Sequence, residues 1–372
     1  MYLSTPLNGS SLPERTLCLT YDDGPGSIEN TGDYGPNTLK LARFLGGRNI
    51  RATFFMVGKH AERYPALIRQ VQRYGHIVAN HTYSHPNLIN FHAVGGDVAE
   101  EIIRTDRLLH NHVNGGVMYF RPPYLDWSPA VAEAANNNLM AALRHVGPID
   151  SDIFTGDYRY WWDNPENPED LIPINDIANA IMPEIRRVGK GILVLHDSGA
   201  DGEFARSHNR CYELTRELVN RLSEEGYRFV GLDQIPAIRD AAALPLVCGL
   251  KASNNRYVSV EPSGRILVNG PTFADWERII VKHVHPGRVA LRTPDGRYFS
   301  AMNGGGGEVS ASASSVAAWE VFDVIPIGRN QVAFRTVTGH LLSRSHAEGG
   351  SFTARANTLR DWEVFTFENH SI

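Results

Sequence analysis

Four short clusters in this chain carry residue types that can do chemistry together. Thr20-Tyr21-Asp22-Asp23-Gly24-Pro25 sets two carboxylates side by side after an apolar run. A dry pair would raise one pKa by repulsion, whereas a cation beside them would hold both ionised. His81-Thr82-Tyr83-Ser84-His85-Pro86 places two imidazoles four apart, where they meet on one helical turn or across a tight loop and can share one ion. One carboxylate with two imidazoles is a facial set that leaves positions open for water and substrate, as hydrolytic metals require. In Arg121-Pro122-Pro123-Tyr124 the prolines stiffen the loop and fix the direction of the next free N–H, that of Tyr124. Leu195-His196-Asp197 ends a very apolar run, and a histidine at the end of a buried strand is a candidate proton donor.

These clusters need elements to bring them together. From about residue 15 to 235, short apolar runs (TLCLTY, TFFMV, HIVAN, VMYF, GILVL) alternate with amphipathic stretches such as VAEEIIRTDRLLHN and CYELTRELVNRLSEEG. Strands alternating with helices predict β-α units around a parallel or barrel-like sheet, and the reactive residues sit at strand ends, where α/β folds place their sites. His60, His76, His110, His112 and His145 lie in or beside helix-like stretches and read as solvated or capping residues. The loop with Tyr158, Tyr160, Trp161 and Trp162 is either a platform for sugar faces or a lid packed on the barrel.

Beyond residue 250 the texture changes. Trp276, Trp319 and Trp362 recur every 43 residues, each followed by Glu and preceded by a matching strand: RYVS, RYFS and HLLS. Three copies predict a threefold closed β structure, with the tryptophans as plugs of the repeat core.

The 372 residues suggest two domains, and 42% hydrophobic with 21% charged residues is an ordinary globular composition. A formal charge of -5 argues against a general binder of nucleic acid or anionic membranes. No apolar run is long enough to span a bilayer, and no signal-peptide pattern is visible at the start. Three scattered cysteines do not make a disulfide framework.

Together, T-Y-D-D-G-P, H-T-x-S-H, R-x-P-Y and L-H resemble the NodB-homology polysaccharide deacetylases, carbohydrate esterase family 4. The last part resembles a fascin-like β-trefoil. The resemblance implies an α/β fold, a distorted (β/α) barrel over residues 1–240, then a linker at 241–250 and an all-β trefoil over 251–372. It implies a metal-dependent deacetylase in which Asp22 is the general base and Asp23, His81 and His85 hold a divalent metal, zinc first with cobalt or iron as alternatives. Arg121 would orient Asp22, the Tyr124 backbone N–H would meet the oxyanion, and His196 would be the general acid. Leu195, Pro123 and Tyr124 would line the substrate pocket, with Trp161 and Trp162 as sugar contacts.

The family's D-x-x-D-W pattern is only approximated here, and Asp157 is the carboxylate expected to tune His196 or Arg121. The expected substrate is an acetylated, N-acetylglucosamine-containing carbohydrate of chitin or peptidoglycan type, with the trefoil as a module for glycan or protein. Three alternatives stay open: an O-acetyl esterase on xylan, a deacetylase of a small intracellular amino sugar or amide, and a silent binding module.

Overall fold

The computed structural model of the protein describes residues 2–26, 37–137, 139–162, 171–199, 208–328, 330–345 and 350–370. The first half is built on parallel strands: β1 (Thr16–Gly24), β2 (Thr53–Met56), β3 (Ile77–Asn80), β4 (Val117–Tyr119), β5 (Arg144–Val146), β6 (Ile153–Phe154), β7 (Lys190–His196) and β8 (Arg228–Phe229). Their order is β3-β2-β1-β7-β6, with β8 beside the start of β1, while β4 and β5 form a separate parallel pair. A bridge from Asn80 to Phe120 joins that pair to the end of β3. All nine residues of β1 are buried, as expected for a strand covered on both faces.

Helices cover the sheet with one apolar stripe each. The helix Asn37–Gly46 buries Leu41, Ala42 and Leu45, and Cys211–Glu224 buries Cys211, Leu214, Leu218 and Leu222, all in one core with Leu17, Leu19 and Leu193 of the strands. The helix Val98–Leu109 starts at Asp97, whose carboxylate accepts the Glu100 N–H, and buries Ile102, Ile103, Asp106 and Leu109. Its acidic residues matter for the site.

The second half is all β: β9 (Leu246–Ala252), β10 (Tyr257–Val260), β11 (Ile266–Gly270), β12 (Ile279–His285), β13 (Arg288–Arg292), β14 (Tyr298–Ala301), β15 (Val309–Ala313), β16 (Phe322–Gly328), β17 (Gln331–Arg335), β18 (Leu341–Arg344), β19 (Phe352–Ala356) and β20 (Phe365–Asn369). Antiparallel pairing runs β9-β12-β13-β16-β17-β20 and returns to β9, a closed ring that leaves no free edge. Three hairpins, β10–β11, β14–β15 and β18–β19, stand on that ring, one per sequence repeat. Residues 246–250, expected to be linker, instead belong to β9, because Leu246, Cys248 and Leu250 turn into the core and the strand closes the ring.

The tryptophans of the repeat are not core plugs. Trp276 is 55% exposed and Trp319 43%, while the glutamates after them, Glu277, Glu320 and Glu363, are buried. Each glutamate takes the backbone N–H three residues earlier, from Ala274, Ala317 and Arg360. Glu320 and Glu363 also accept the hydroxyls of Ser300 and Ser343 at 2.5 and 2.6 Å. A buried carboxylate survives because its oxygens are filled with hydrogen bonds, so here the polar residue closes the turn and the aromatic one faces water.

The two halves touch through Ala141 and Ala142, which pack in the second core, and through a hydrogen bond from His283 Nε2 to the Ala142 carbonyl. Arg144 donates to the Leu244 carbonyl at 2.5 Å.

Candidate active site

The parallel register of β1 and β7 sets Asp22 directly beside His196. Asp23 follows at the end of β1, and the loop after β3 brings in His81 and His85. The site therefore forms at strand C-termini from residues more than one hundred positions apart in sequence. The backbone there is held in an uncommon conformation. Asp23, Thr82, His85, Tyr124 and Leu125 all have φ between 59° and 74°, a region that costs non-glycine residues about 1–3 kcal/mol each. Such strain persists only where surrounding bonds over-determine it.

Those bonds are visible. The Asn80 Oδ1 accepts the Thr82 N–H at 2.7 Å, and the Glu101 carboxylate takes the N–H groups of Tyr83 and Ser84 at 3.1 and 2.8 Å with the Ser84 hydroxyl at 2.8 Å. The Asn80 amide donates to Asp106 Oδ1 at 2.7 Å, and Asp106 Oδ2 in turn takes His145 Nε2 at 2.9 Å. His60 Nδ1 donates to the Asp23 carbonyl at 2.9 Å. His60, His76 and His145 are buried and bonded rather than solvated, a correction to their expected role. Nothing in the spacing around Asn80, Glu101 or Asp106 marked them, because their contact with the loop is made only by packing of the helix Val98–Leu109.

Asp23 Oδ1 lies 3.2 Å from His85 Nε2 and 3.6 Å from His81 Nε2. The donor atoms of these three side chains fall within 4.8 Å of one another. Two ligands of a tetrahedral zinc lie about 3.4 Å apart, given bonds of about 2.1 Å. His81 Nδ1 donates to the Arg121 carbonyl at 2.8 Å, which leaves the Nε2 lone pair for a ligand. Burial pushes the His81 imidazole down to about 4, against the pull of Asp22 and Asp23, so it stays neutral as a metal ligand must. Burial raises the Asp23 carboxyl, but the hydrogen bond and charge of His85, with His196 and His81, outweigh it and hold the group well below the carboxylate range. The donor set fits a divalent cation.

Asp22 is held from the other side. Arg121 Nη1 donates to Asp22 Oδ1 at 2.8 Å and to Thr20 Oγ1 at 2.8 Å. Its Nε and Nη2 reach the carbonyls of Ile149 and Asp150, and its guanidinium lies 4.2 Å from the Phe55 ring centre. Arg121 is fully buried, so its fork has one geometry and Asp22 Oδ2 is the oxygen left toward His81, 3.9 Å away.

Asp157 follows β6 and meets His196, not Arg121. Its Oδ1 takes His196 Nδ1 at 2.7 Å and its Oδ2 the His196 backbone N–H at 2.9 Å. Burial lowers the His196 pKa, but the Asp157 charge and hydrogen bond, with Asp23 and Asp22 behind, reverse this and push it up to about 10. Asp157 thus favours the imidazolium form of His196, with Nε2–H facing away from Asp157. Next to it Asp197 is buried with one carboxyl oxygen unbonded, and burial pushes it up to about 7 despite a hydrogen bond from Thr38.

Tyr124 is 59% exposed, with its ring 4.9 Å from that of His85, and the preceding Pro123 is buried. Leu195 is buried in the first core. Trp161 corrects the sugar-contact expectation: it is 1% exposed and packed in that core, so it offers no face to a ligand. The Trp162 side chain lies outside the described residues.

The chain is similar to several known proteins. The polysaccharide deacetylase family profile matches residues 9–142. A peptidoglycan-N-acetylglucosamine deacetylase of Bacillus cereus is 34% identical over 223 residues, 58% of this chain and 66% of the relative. A chitooligosaccharide deacetylase of Sinorhizobium fredii is 31% identical over 225 residues, 59% of this chain and 89% of the relative. Among solved structures, a polysaccharide deacetylase from Bacillus cereus aligns with 59% of this chain and 92% of its own, at 21% identity and a TM-score of 0.42.

Proposed function

The chain belongs to the polysaccharide deacetylase family, and on that premise we propose that it hydrolyses N-acetyl groups of an N-acetylglucosamine-containing carbohydrate, releasing acetate and a free amine. The observation that carries this reading is the pairing of Asp22 and His196 on adjacent strands beside the Asp23–His81–His85 trio. Asp23, His81 and His85 would hold the cation, and their nitrogen and oxygen donors suit zinc, with cobalt or iron as alternatives. Such a cation supplies Lewis-acid polarisation of an acyl oxygen and acidifies water.

The remaining work falls to the chain's own groups. Asp22, aimed by Arg121, accepts the proton of the attacking water at Oδ2. The Tyr124 backbone N–H, set by its left-handed conformation, donates to the oxyanion that forms at the acyl carbon. His196, charged through Asp157, gives its Nε2 proton to the leaving amine as the C–N bond breaks.

The ring of six strands with three hairpins supports a β-trefoil reading of the C-terminal half, and we infer the division 1–240 and 251–372 with β9 reaching back across the boundary. The test is acetate release from N-acetylglucosamine oligomers of several lengths, with chelator and with metal restored. Chelator-sensitive release supports the reading. Release only from acetylated xylan would replace the amide with an ester, and no release from either would overturn it.

A further inference from the structure

The threefold repeat provides an internal control, since a residue needed only for the fold should recur in all three copies. At three positions the third copy departs from the others in the same way. Arg344 ends β18 where Val260 and Ala301, both buried, end β10 and β14. Arg355 stands fourth in β19 where Asn269 and Ser312 stand in β11 and β15. Arg360 precedes the buried glutamate by three residues where the other copies have Ala274 and Ala317. Scaffold chemistry at these sites asks for nothing larger than valine, yet one repeat carries three guanidinium groups.

All three line one cleft of ≈ 850 Å³ together with Trp362, Asn357 and Thr358. Arg344 lies 4.6 Å from the Trp362 ring centre, its N–H donates to the Trp362 carbonyl at 3.1 Å, and its Nε is buried without a hydrogen-bond partner. Some other arginines of this half pair with acids, as Arg288 with Asp323 and Arg297 with Asp295. Among the described residues Arg344, Arg355 and Arg360 make no ion pair. Two acids also line the cleft: Glu363, whose oxygens take the Ser343 hydroxyl and the Arg360 N–H, and Asp361. An unpaired guanidinium cluster beside an indole, rimmed by amide and hydroxyl groups, matches a sugar that carries a negative charge.

We propose that this third-repeat cleft binds an anionic saccharide, its carboxylate or phosphate on the arginines and its ring against Trp362. The site is separate from the Asp22–His196 centre and does not depend on the reaction proposed there.

Replacement by the second repeat's residues, R344A, R355S and R360A together, is a swap the fold already accepts at Ala301, Ser312 and Ala317. Binding is measured on the full chain in a D22N background, so that sugars are not consumed. The probes are a tetrasaccharide of alternating N-acetylglucosamine and N-acetylmuramic acid, N-acetylglucosamine 6-phosphate, chitotetraose and inorganic phosphate. One or both anionic sugars should bind about tenfold or more tighter than chitotetraose, the value of at least one charge-assisted bond, and lose that margin in the triple variant. The sugar that binds best separates a carboxylate from a phosphate source. Equal binding of neutral and charged sugars, no effect of the triple swap, or inorganic phosphate binding as tightly as the sugars would each overturn the proposal. With Asp22 restored, the triple variant should release acetate from short soluble oligomers at the wild-type rate, so its failure and failure of the active-site reading are told apart.

Discussion

Replacing Asp157 by Asn tests the proton-donor assignment most directly. The carboxylate is fully buried and contacts His196 Nδ1 at 2.7 Å, and its charge and hydrogen bond are the leading forces that raise His196 to about 10 against burial. A hydrogen bond to a charged group is worth about 1.5–3 kcal/mol, and one pH unit corresponds to about 1.36 kcal/mol, so its loss should lower the His196 pKa by about one to two pH units. The amide can still accept the His196 backbone N–H, so the loop should keep its shape. Its NH2 group, however, faces Nδ1 and favours neutral imidazole over imidazolium. On the metal-saturated full chain, the alkaline limb of kcat/KM against pH for an N-acetylglucosamine tetramer should move to lower pH by about one to two units. The plateau should fall about 10²-fold or more, the usual share of a general acid. A variant that melts like wild type yet keeps its alkaline limb and loses less than about threefold in rate would refute the idea that His196 acts as the acid under Asp157 control.

Asp22→Asn should reduce kcat by about 10²-fold or more with little change in KM, because the base acts only on the reacting water; a matching rise in KM would mark it as a binding residue. His81→Ala should weaken cation binding by about tenfold or more as read by calorimetry with zinc, and Asn80→Ala should do so more mildly by releasing the Thr82 turn. Glu320→Ala should destabilise the chain by about 1–3 kcal/mol in urea unfolding, since it strands the Ala317 N–H and the Ser300 hydroxyl, whereas Trp319→Ala on the exposed side of the same turn should cost less. Asp197 is raised in the folded state to about 7, so its contribution is complete below pH 3.8 and is lost as pH rises through 7; Asp197→Asn should flatten the fall in stability between those values, and an unchanged slope would contradict the burial argument.

The order of the reactive clusters was legible in the sequence because each is local: adjacent residues on β1, one loop after β3, one loop after β4 and one strand end on β7. The α/β alternation was legible for the same reason, since buried parallel strands are uninterrupted apolar runs. The period of 43 residues likewise announced three copies of one β unit. What a linear pattern does not carry is which polar group meets which across the fold. The resemblance set Arg121 beside Asp22 but left Asp157 with either His196 or Arg121. Only the placement of Asp157 after β6, which pairs with β7, gives it to His196. The support of the metal loop by Asn80, Glu101 and Asp106 is equally non-local. Burial at the Trp-Glu turns was misread because hydrophobicity ranks tryptophan inside and glutamate outside, while the backbone N–H groups of a tight turn must be satisfied and only the carboxylate can reach them. The sequence determined the inventory of reactive groups and the repeat; tertiary structure decided their partners, because hydrogen-bond satisfaction is settled between elements rather than along them.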